Sequence, residues 1–157
     1  MPVQIRYPNS EDKLRRATEL ANDLLVSTTL LDIIASRPRP FHESRPADLR
    51  PRVVANAFEQ VDLVLTLVEY TDRETVGGMF DPRRPGFIWV NTRALKRRSV
   101  CALAAMLVHE CTHALSHHVP GMAFSHDSRP QDFRNTAPYW IQGRLREQFC
   151  TAEDFDH

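Results

Sequence analysis

Two histidines and a glutamate stand together in the run His109-Glu110-Cys111-Thr112-His113. Histidines four residues apart on a helix share one face, a turn apart, so both rings can reach a single ion. The glutamate between them flanks that ion, where its carboxylate can take a proton from coordinated water. Zinc lowers the pKa of such water towards neutrality, which makes Glu110 the expected general base. Chance would place this pattern in roughly 1–2% of chains of such composition.

The chemistry requires a helix, and the flanking residues predict one from about Ser99 to His117, stopped by Pro120-Gly121. Val100, Leu103, Ala104, Leu107, Cys111, Ala114 and Leu115 fall on one apolar stripe. His109 and His113 project roughly opposite it, preceded on their own face by Ala102, Ala105 and Met106. The expectation is a helix packed on one side and presenting its histidines on the other.

Leu107–Leu115 resembles the active-site helix of the zincin metallopeptidases, the HExxH zinc enzymes. Upstream, Gly77-Gly78-Met79-Phe80-Asp81-Pro82 and Gly86-Phe87-Ile88-Trp89-Val90-Asn91 look like the glycine turn and edge strand of short bacterial zincins. The likeness covers about Gly77–Cys150, and residues 1–60 match no pattern. It implies a zinc-dependent peptidase in which an extended peptide or protein substrate lies along that edge strand. A third zinc ligand is then required, because a catalytic zinc takes three protein donors and keeps one position open. Val119 stands where an HExxHxxGxxH third histidine would be.

Four candidates for that ligand remain. His126 is favoured, since SprT-like metallopeptidases place a histidine at about that distance; Asp127 is a candidate to orient a histidine or to cap a turn. Glu147 on the last helix matches the gluzincin arrangement, with Gly143 expected to let that helix approach closely. Trp140-Ile141-Gln142-Gly143 resembles the W-x-E-G segment of many gluzincins, with an amide in place of the carboxylate. An amide is a poor zinc donor, so this alignment would instead imply a catalytically weak or inactive binding module. His117, one turn past His113, suits a supporting role better, and His118 that of a helix-end residue. Tyr139 is a candidate for stabilising the oxyanion and Trp89 for lining a subsite, each against the plainer expectation of packing.

The remaining pattern predicts an α+β order in a single small domain. Ser10 reads as the cap of a first helix running to about Val26. Four Arg-Pro pairs between Arg37 and Pro51 predict an extended surface loop, followed by a short helix from Pro51 to Gln60. Val61–Val68 alternates as a strand, Phe87–Asn91 is a second, and a last helix runs from Tyr139 to about Cys150. Together these give a short mixed sheet with an edge strand, the motif helix and a C-terminal helix.

Composition narrows the partners. Twenty basic and twenty acidic residues balance, so no global attraction to nucleic acid is expected, and the Arg83-Arg84 and Lys96-Arg97-Arg98 clusters read as solvated faces. No apolar run is long enough for a membrane span, and the N-terminus has no signal-peptide core. Cytoplasmic residence, or export without a cleavable signal, is expected. Three cysteines suggest no disulfide framework. Cys101 and Cys111, about 15 Å apart on one helix, cannot bond each other and read as core residues of a reducing compartment.

Overall fold

Leucines at 63, 65 and 67 bury one face of strand β2 (Leu63–Tyr70), as their alternation predicts. The computed structural model describes residues 3–42, 49–73, 77–120, 122 and 133–151. Around β2 it builds a four-stranded mixed sheet in the order β1 (Val3–Arg6), β2, β4 (Phe87–Asn91), β3 (Gly78–Phe80). The first three strands are parallel, and β3 runs antiparallel to β4. With six helices among the described residues, this is an α+β fold.

One expectation is corrected here. Phe87–Asn91 is an interior strand, and the edge is the three-residue β3. Gly77 and Gly78 accordingly serve close approach at this edge. A Cβ on Gly78 would lie 3.1 Å from the Met106 sulfur and 3.3 Å from the Trp89 carbonyl oxygen.

The opposite edge is closed by a side chain. Asn22 of α1 (Asp12–Leu25) accepts from the Ile5 N–H at 2.8 Å and donates to its carbonyl at 2.9 Å. That amide stands in for a missing strand neighbour. α1 is capped by Glu11, one residue after the expected Ser10, through a bond from the Leu14 N–H. β1 and α2 (Thr28–Ala35) lacked a clear periodic signal, whereas α3 (Pro51–Gln60) has the predicted bounds.

A single turn, α4 (Thr92–Leu95), leads into the motif helix α5 (Val100–His118), capped by the Ser99 hydroxyl. The one-sided stripe is overturned: every residue from Ala102 to Leu115 is buried. α5 lies among α1, α6 (Ala137–Phe149) and the sheet, so no face of its middle turns reaches solvent. Its histidines are therefore held inside the fold.

Trp140 of α6 packs against Phe41, their ring centres 5.5 Å apart and edge-on. The buried Arg37 guanidinium lies 4.7 Å from the Phe41 ring centre and 5.2 Å from that of Trp140. The predicted surface loop thus sends Arg37 and Phe41 into the core, while residues 43–48 lie outside the described set. A second correction concerns the cysteines. Cys101, in the first turn of α5, is disulfide-bonded to Cys150 at the end of α6. Only Cys111 is a free, buried thiol. The pairing was invisible because it depends on two helices meeting across 49 residues of chain. A bridge over that separation removes about 4 kcal/mol of unfolded-chain entropy. It also removes the basis for expecting reduced cysteines.

Candidate metal centre

The helical spacing of His109 and His113 brings their Nε2 atoms to 3.2 Å, with both side chains buried. Two nitrogens on a tetrahedral zinc, each about 2.0–2.1 Å from it, would lie about 3.3 Å apart. One donor atom from each of His109, Glu110 and His113 lies within 4.8 Å of the others. This buried group can hold a metal ion.

The group opens on a cavity of about 550 Å³. Met106, His109 and Glu110 supply its α5 wall, and Gly77 to Phe80 its sheet wall. Tyr139 and Gln142 face it from α6, and Arg98 closes one side. The Tyr139 ring stands edge-on to His109, with centres 4.5 Å apart.

Burial dominates the electrostatics. Glu110 is pushed up to about 8 by loss of water, against the Phe80 N–H that donates to it and the charge of Arg98. The Tyr139 phenol is raised by burial and then by Glu110, so it remains a proton donor. Burial likewise raises the Cys111 thiol, which argues against nucleophilic use.

A pH dependence follows for the metal-free protein. Glu110 has a folded value near 8 against an ordinary 4.5, so the native state binds this proton more tightly than the unfolded chain. That contribution is fully present below about 4.5 and is lost as pH rises through about 8. Urea denaturation should therefore show wild-type stability falling across this window, with a shallower fall in Glu110→Gln. Parallel profiles would contradict the assignment.

Other sequence candidates are distributed unevenly. Gln142 lines the cavity, whereas Glu147 is exposed, bonded to Arg144 at 2.9 Å, and borders a second cavity. Gly143 faces open space and so does not mediate helix approach. His117 is exposed with its ring 6.0 Å from Phe80, and neither it nor Glu147 joins the described metal-holding group. His118 bonds the Ala114 carbonyl at 2.8 Å, as a helix-end residue. Trp89 borders a different cavity, under Arg84. His126 and Asp127 lie outside the described residues.

Two contributors were not anticipated. The Phe80 backbone N–H has no side-chain signature in sequence, and Arg98 looked like one more exposed cation in Lys96-Arg97-Arg98. Among the described residues, no helix is long and apolar enough to cross a membrane. No family model matches the chain, and no match was found among curated proteins or solved structures.

Proposed function

We propose that this chain is a zinc-dependent metallopeptidase that hydrolyses peptide or related amide bonds, with His109 and His113 as ligands. The observation that carries the reading is the convergence of two buried imidazole nitrogens at 3.2 Å beside the Glu110 carboxylate, with His109 and Glu110 lining a cavity. When bound, the ion would acidify water, polarise the scissile carbonyl and favour ionised Glu110.

The chain's own residues supply the rest. Glu110 takes a proton from the attacking water and returns it to the leaving nitrogen. The Phe80 backbone, on the sheet side of the cavity, favours the ionised form of that carboxylate. Tyr139 offers its hydroxyl to the oxygen on which charge develops. On the resemblance to SprT-like enzymes, His126 is the proposed third ligand.

Gln142 favours a second reading. An amide faces the cavity where a gluzincin would present a carboxylate, which suits a zincin-fold binding module with little or no activity. Zinc-loaded wild-type protein incubated with a mixed peptide pool separates the two. The metallopeptidase cuts peptides and stops on addition of a chelator. A chain that retains zinc but releases no new amino termini is the module.

A further inference from the structure

The Lys96-Arg97-Arg98 run does not end as a solvated face. Lys13 of α1 donates to the Leu95 carbonyl at 2.6 Å and to the Arg98 carbonyl at 2.9 Å, fixing the backbone that enters α5. From that anchor the Arg98 side chain turns inward and lines the cavity with Glu110. Gly77 makes the room: a Cβ there would lie 2.9 Å from both Cζ and Nη2 of the guanidinium.

Arg98 is half-buried, yet its guanidinium makes no hydrogen bond or ion pair among the described residues. It feels the charge of Glu110, but also that of a second cation, Arg146 on α6. Loss of water and this repulsion both disfavour its charged form. Cations withdrawn from water are ordinarily paired, and arginine suits a planar two-oxygen partner. Arg146 and Arg134 border the neighbouring cavity of about 520 Å³, which shares Tyr139 and Gln142 with the first.

We propose that Arg98 forms an anion subsite that takes a substrate carboxylate next to the bond presented to Glu110. This rests on the hydrolase reading and specifies its substrate class: peptides bearing an acidic side chain or a free C-terminal carboxylate near the cleavage point. The two sources share one chemistry, a carboxylate received by a guanidinium fork.

Calorimetric binding to the metal-free full chain tests this without turnover. In one arm the probes are blocked alanine hexapeptides carrying a central Glu or Gln; in the other, acetylated alanine hexapeptides ending in a carboxylate or an amide. The carboxylate member of at least one pair should bind about tenfold tighter or more, and the arm that discriminates names the source. Arg98→Gln should remove the preference. Gly77→Ala should weaken it by displacing the guanidinium, and decides the matter should Arg98→Gln fail to fold. Equal binding within both pairs, or a preference that survives both substitutions, would overturn the proposal. An Arg98 that only balanced Glu110 gives that equal-binding result. A chain that discriminates carboxylates but never hydrolyses a peptide keeps the subsite and loses the peptidase.

Discussion

Glu110→Gln is expected to retain zinc and fold while lowering peptide hydrolysis by about 10²- to 10⁴-fold, the usual contribution of a positioned acid–base group. The side chain is buried and lines the cavity beside Phe80 and His109, where a general base would be required. Gln preserves the shape and can still accept from Phe80, but it cannot take a proton. The loss should fall on kcat and on kcat/KM alike, because the missing interaction belongs to the transition state. Single-turnover assays on zinc-loaded proteins provide the check. Equal rates in the two proteins would remove Glu110 from the mechanism.

His113→Ala should act one step earlier, on the metal itself. Wild-type protein with zinc a thousandfold above its Kd should gain about 4 kcal/mol of stability if only the native state assembles the site. For a domain of this size that corresponds to a rise of about 10 °C in Tm. The variant keeps His109 and Glu110 but loses one of the two converging nitrogens, so most of the zinc-dependent rise should vanish. Some loss of metal-free stability is also expected, because His113 is buried and its ring packs against His109. The diagnostic quantity is thus the difference between scans with and without zinc. An unchanged difference would show that the stabilising ion binds elsewhere.

Much of the site was legible because helical spacing is a local property. His109 and His113 share a face by the geometry of 3.6 residues per turn, and Ser99 and Pro120 bracket the helix by local capping chemistry. The same logic placed Pro51–Gln60 and Phe87–Asn91. Tertiary placement was less accessible. The apolar stripe on α5 suggested one packed face, but His109, Glu110 and His113 are all buried, and His109 and Glu110 line a cavity. Strand β3 is too short to carry a period, so the aromatic run beside it was taken for the edge. The Cys101–Cys150 bond and the inward turn of Arg98 depend on contacts between distant segments.

The phase of α6 shows how a long-range fact sharpens a local one. Once Tyr139 faces the motif, Gln142 and Arg146 lie three and seven residues on and share its side, and all three border the second cavity. Glu147 also borders the second cavity, but it lies outside the first and makes the exposed salt bridge with Arg144. The choice between the Gln142 and Glu147 alignments therefore turns on helix rotation, which composition does not encode.

Anomalous diffraction at the zinc edge, from crystals grown with zinc, tests the central claim most directly. The account predicts a single strong peak between His109 Nε2 and His113 Nε2, about 2.0–2.1 Å from each. The same map would identify the third donor. Absence of a peak between these imidazoles, with zinc bound elsewhere or nowhere, would contradict the metal centre and the peptidase reading together.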